Sequence, residues 1–166
     1  MAHLHSLRII HGDLKASNVR FEGDRAVALI DLDTLQHGTL ETELGDALRS
    51  WCNQATEDEL EARLDLAVFE AAMTGYATAM RRGPPLLEAE WRSIVPGWLR
   101  ITTELASRFL NDALEERYFS WDRRFGSRGE HNLVRARGQV ALARAIVDRF
   151  DEAEEALAQA RAAALE

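Results

Sequence analysis

The residues able to do chemistry lie in two short stretches, His11-Gly12-Asp13-Leu14-Lys15-Ala16-Ser17-Asn18 and Ile30-Asp31-Leu32-Asp33. Asp13 offers a carboxylate that can accept a proton from an attacking hydroxyl. Asn18 and Asp31 offer an amide oxygen and a carboxylate, hard ligands that suit magnesium. Phosphoryl transfer asks for little more than these groups, provided that they converge on one point from a rigid platform. The spacing predicts that convergence. Asp13 falls at the centre of a loop between two β-prone runs, Asn18 follows five residues later, and Asp31 ends the paired run beside Asn18.

The elements that must hold this loop follow from the flanking patterns. Residues 7–10, 19–21 and 26–31 are short, apolar and β-prone. Glu22-Gly23-Asp24-Arg25 reads as the hairpin turn between the last two. Residues 34–44 read as a loop, and helical periodicity starts at Gly45. Helices are expected over 45–53 and 64–82, the second stopped by Gly83-Pro84-Pro85. Another runs from Leu87 to about Leu114 and is broken or kinked at Pro96. After a polar stretch over 122–130, one long helix is expected from Leu133 to the end, with Leu142, Ile146, Phe150, Ala153 and Leu157 on one stripe. Its alanine-rich tail is helical by propensity and prone to fray. The fold class is α+β and mostly helical, a single domain over 1–166. Three short strands bury little alone, so they are expected to lie on the helices as a loop platform.

Composition narrows the function classes. A net charge of −8 argues against a nucleic-acid groove. No apolar run approaches the length of a membrane span. Cys52 is the only cysteine, which leaves no internal disulfide and favours a reducing, cytoplasmic location. Of the 20 basic residues only Lys15 is a lysine, so any role that demands one is easy to check. His11 is read as a support for the loop backbone. Asp46 is read as a helix cap or a second support for that backbone. The four tryptophans are read as core anchors, Arg135 and Arg137 as bridges between helices, and His3 and His5 as inert.

Protein kinases carry an arginine after the loop histidine and an aspartate-phenylalanine-glycine triplet after the second strand. Here Gly12 and Asp31-Leu32-Asp33 stand in those places. The pattern resembles the aminoglycoside phosphotransferase and choline kinase superfamily. Gly45-Asp46-Ala47-Leu48-Arg49-Ser50, Arg108-Phe109-Leu110-Asn111-Asp112 and His131 to Arg137 are similar to its N-acetylhexosamine kinase branch. The resemblance implies the C-terminal lobe of a protein-kinase-like fold, with a β-hairpin platform carrying the catalytic loop. It implies ATP as phosphoryl donor, Mg2+ as cofactor and a small-molecule hydroxyl, on a sugar or similar metabolite, as acceptor. Asp13 then looks like the base, Lys15 a contact to the transferred phosphate, and Asn18, Asp31 and Asp33 the metal shell. Arg108 and Tyr118 match sugar-facing positions. The N-terminal nucleotide lobe, with its strand lysine, is expected to be absent, so little turnover is expected of the chain alone. The other reading is a non-catalytic binding module that retains the loop. Either way, Ile9, Ile10, Val27 and Leu29 are expected near an uncovered surface that takes a second copy or a separate N-lobe.

Overall fold

The computed structural model describes residues 6–165; His3 and His5 lie outside them. The chain runs β1 (Arg8–Ile10), β2 (Val19–Glu22), β3 (Arg25–Leu29), β4 (Gln36–Gly38), then α1 (Leu40–Trp51), α2 (Leu66–Met80), α3 (Glu88–Arg92), α4 (Ile94–Glu115), α5 (Arg128–Asp148) and α6 (Phe150–Ala163). Single 3-10 turns at Ala16–Asn18 and Leu32–Thr34 lead into β2 and separate β3 from β4, respectively. The fold is α+β and mostly helical, as expected.

There are two antiparallel pairs. β2 and β3 form the hairpin that Gly23 allows, with Val19 opposite Leu29 and a bulge between Arg20 and Phe21. Gly23 has φ +59, which a side chain resists. β1 pairs with β4, Ile9 opposite His37. Residues 34–44 are therefore more than a loop: they hold β4 and the start of α1. Gln-His-Gly carries no strand signal of its own, and its partner is remote in sequence.

The hairpin does not lie on the helices. Every residue of β3 is exposed, and so are Phe21, Ile30 and Leu32. Ile9 is 74% exposed, whereas Ile10 is 4% exposed and belongs to the interior. β1 is the strand that anchors the platform. Arg8 reaches α3 and donates two hydrogen bonds to Glu90, at 2.8 and 2.9 Å. Glu90 is buried, and that pairing first of all holds its carboxyl below the ordinary glutamate value against the opposing cost of burial.

The core is helical. Leu44, Leu48, Phe69, Met73, Ile94, Val95, Trp98, Leu142, Ile146 and Leu157 are buried together. Trp98 stacks on Phe69 with ring centroids 5.3 Å apart. Of the other tryptophans, Trp51 and Trp91 pack half-buried against this core and Trp121 is half-buried. α1 crosses α4 at two glycines. A Cβ on Gly45 would lie 2.7 Å from the carbonyl oxygen of Gly97, and one on Gly97 would lie 2.8 Å from that of Glu41. Cys52 is fully buried, and burial pushes its thiol up to about 12. It packs, and does not react.

Two helix boundaries differ from expectation. The chain breaks at Ser93 and not at Pro96, which sits in the first turn of α4, where its missing N–H has no intrahelical partner to lose. The last helix is two. α5 starts at Arg128, capped by Ser127, and the chain turns at Arg149. α5 packs on α4 while α6 packs on α2, which one straight helix could not do. The apolar stripe continues through the break, which hides it from periodicity. Ala153, Leu157 and Ala160 are buried, so the tail packs.

Candidate functional site

The loop 11–18 joins β1 to β2 and is clamped at its start. Glu43 accepts the backbone N–H of His11 and of Gly12, each at 2.9 Å. Thr34 donates its hydroxyl to the His11 carbonyl at 2.7 Å. The His11 ring donates from Nε2 to the Ile30 carbonyl at 2.9 Å, which leaves Nδ1 to accept the long contact from the Asp13 N–H at 3.4 Å. Gly12 has φ +79, and a Cβ there would lie 2.8 Å from the Thr34 carbonyl oxygen. Both the turn and the close approach demand glycine.

Asp46 does not support this loop. It lies inside α1 and accepts two bonds from Arg49, at 3.0 and 2.9 Å. The reason is the helix start. Thr39 caps α1 six residues ahead of Gly45, with its hydroxyl accepting the Thr42 N–H. Glu43 then falls at the end of the first turn, against the loop. A threonine ahead of a Leu-Glu-Thr-Glu run was the signal for it.

Asp13, Lys15 and Asn18 come together. Lys15 Nζ donates to Asp13 Oδ2 at 2.7 Å, and Asn18 Nδ2 donates to the same oxygen at 3.1 Å and to the Asp13 carbonyl at 2.8 Å. The carboxylate is thus held by Oδ2, and Oδ1 is left for a ligand. The bond to Asp13 raises the Lys15 pKa, so the ammonium stays charged across neutral pH. Asn18 is buried and uses only its nitrogen, so its amide oxygen remains available.

Asp31 arrives next to Asn18 because the hairpin ladder continues one step, the Ile30 N–H donating to the Asn18 carbonyl at 3.0 Å. Asp31 has φ 65, an unusual conformation for a side-chain residue and one found where a structure fixes a functional group. Contact with Asp33, then the like charge of that carboxylate, raises the Asp31 pKa. Two carboxylates that repel, beside a free amide oxygen, make a donor set that fits magnesium. Among the described residues no three acidic, histidine or cysteine side chains gather at one point. A cation here would take the remainder of its shell from water and phosphate.

Asp13 and Lys15 open onto a cavity of about 400 Å³, lined also by Ser17, Arg49, Ser50, Asn53, Thr56, Glu57 and Gln139. Arg49, Glu57 and Gln139 were not singled out as site residues from the sequence, since helix and loop positions that meet only in space leave no local signal. Arg108 and Tyr118 do meet, the guanidinium carbon 5.6 Å from the ring centroid, but both are exposed and neither lines this cavity. Their neighbour Asp112 is structural. Buried, it accepts the N–H groups of Arg117, Tyr118 and Phe119 and the Asn132 amide. Arg135 does not bridge two helices: it joins His131 on Asp58, in the loop between α1 and α2, and donates to the Ser120 carbonyl at 2.8 Å.

No described helix is long and apolar enough to cross a membrane. The clamped loop, its aspartates and α1 all lie within residues 1–91, which match the model of the phosphotransferase enzyme family, and the chain belongs to that family.

Proposed function

We propose that the chain is the acceptor-binding, C-terminal lobe of a small-molecule kinase that moves the γ-phosphoryl group of ATP to a hydroxyl of a sugar or similar metabolite. The observation that carries this reading is the hydrogen-bonded Asp13–Lys15–Asn18 cluster at the mouth of a polar cavity, with Asp31 and Asp33 beside it. Asp13 Oδ1 takes the proton of the acceptor hydroxyl. Lys15 offsets charge on the carboxylate and on the incoming phosphoryl oxygens. Asn18, Asp31 and Asp33 hold Mg2+, which when bound neutralises phosphate charge. Lys15 is the sole lysine of these 166 residues, so a second lysine to grip the nucleotide would have to come from outside them, and we expect turnover by this chain alone to be slight. The resemblance of the later motifs supports narrowing this reading to the N-acetylhexosamine kinase branch.

The metal assignment has a direct test. Manganese titrated into the labelled chain should broaden amide signals around Asn18 and Asp31, and Asp31→Asn should abolish that broadening. Equal broadening in the variant would place the cation elsewhere.

The exposed hairpin favours a second reading, an interaction module. Phe21, Val27 and Leu29 stand in water with Ile9, and uncovered strands with apolar side chains invite pairing. Sedimentation at micromolar concentration should show self-association that Val27→Asp together with Leu29→Asp removes. A single 18.7 kDa species in the unaltered chain would end this reading.

A further inference from the structure

The loop between α1 and α2 forms one wall of the cavity that holds Asp13, through Asn53, Ala55, Thr56 and Glu57. Two adjacent carboxylates tie that wall down in opposite directions. Glu57 meets Arg49 of α1 at 3.2 Å on the cavity side, and Asp58 turns away to α5. Glu57 is 46% exposed, and an exposed ion pair holds little. The firm attachment is the one at Asp58.

His131 makes it firm. The residue is 1% exposed and reaches Asp58 Oδ1 at 2.6 Å through Nε2. Its Nδ1 accepts the Asp122 N–H at 3.0 Å, so the ring proton sits on Nε2 and is donated to the carboxylate. Phe125 stacks on the ring with centroids 4.1 Å apart, which fixes its plane. Arg135 donates to the same oxygen at 3.3 Å, and Arg124 donates to Oδ2 at 3.1 Å. Further along α5, Gly138 lets the Glu59 carbonyl come close: a Cβ there would lie 2.4 Å from that oxygen. His131, Arg135 and Gly138 are spaced four and three residues apart, so one face of α5 receives the loop.

The loop 11–18 has separate anchors, Glu43, Thr34 and the His11 ring. Loosening the wall therefore leaves Asp13 in place. It changes the shape that the acceptor meets, and so acts on binding and not on proton removal.

We propose that Asp58 and His131 are positioning residues, a latch on α5 that holds the 53–57 wall where it completes the acceptor cavity. The proposal rests on the acceptor-cavity reading above.

The test uses the chain as it stands, with N-acetylglucosamine and glucose as probes. Asp58→Ala should speed amide exchange over 53–57 about tenfold and leave exchange over 11–18 unchanged. It should weaken binding of whichever sugar the chain takes about tenfold, the loss of one well-placed hydrogen bond. His131 supplies the control against a merely structural role. Glutamine can place an N–H where Nε2 stands, whereas asparagine can place an oxygen only where Nδ1 stands. Both lose the Phe125 stack, so urea unfolding should show both less stable than the unaltered chain. Only His131→Asn should lose sugar affinity, and His131→Gln should keep it. Gly138→Ala pushes the Glu59 carbonyl off α5 and should weaken binding as well, which keeps the test decisive should a His131 variant fail to fold. Unchanged exchange over 53–57 in Asp58→Ala, unchanged affinity in Asp58→Ala or Gly138→Ala, or equal losses in the two His131 variants would overturn the proposal and leave the acceptor reading standing. Binding of neither sugar to the unaltered chain would sink the acceptor reading, and with it the role given to the latch, even where the wall loosens as expected.

Discussion

Asp13→Asn should lower acceptor turnover by about a hundredfold or more, the usual effect of removing a positioned general base. The measurement is phosphorylation of a sugar panel by a catalytically competent form, with a nucleotide-binding lobe supplied. The substitution is nearly isosteric, and Asn18 already holds the Asp13 carbonyl through its amide, so the loop should keep its shape. Nucleotide affinity should therefore change little, and the loss should fall on kcat. The Lys15 ammonium, left facing an amide, would also lose its partner at 2.7 Å. Near-normal turnover would mean that positioning alone carries the rate, or that the base lies outside this cluster.

Trp98→Ala should destabilise the fold by about 3–5 kcal/mol, the range for emptying a large buried aromatic site. Trp98 is 0% exposed, stacks on Phe69, and sits one residue after the glycine at the α1–α4 crossing. The void would open where backbones already touch, so relaxation is limited. Its indole N–H is buried without a partner. Trp98→Phe should therefore cost clearly less than its loss of volume suggests, because an unsatisfied donor leaves with the ring. Urea unfolding of the three proteins decides the matter. A cost below about 1 kcal/mol for Trp98→Ala would show that the site collapses freely.

What the sequence made legible was local. The loop 11–18, the hairpin turn at Gly23 and the apolar stripe through Leu157 each depend on neighbours within a few residues, and all are present in the fold. What it hid was non-local. β4 is a strand only because β1 lies beside it. Glu43 looks like any acidic residue of a first helical turn until the loop backbone is brought against it. The same holds for Gln139, which reads as one polar residue in a long helix until the cavity beside Asp13 is seen. The break at Arg149 escaped because the apolar pattern runs through it undisturbed. Errors of this kind gather where tertiary contacts override local pattern.

Helix α1 works as a ruler between two parts of the site. Glu43 near its start fixes the loop backbone, and Arg49 toward its end faces the cavity. Six residues separate them, about 9 Å along a helix axis. Gly45, between them, rests on the backbone at Gly97, which leaves little freedom to roll or slide. The angular phase of the two side chains is therefore set by residue count alone. Adding or removing one residue between them would turn Arg49 by about 100° relative to Glu43. Evolution of this segment is then constrained in length more tightly than in side-chain identity, since a substitution disturbs one contact while a single-residue insertion misaligns the clamped loop and the cavity wall together.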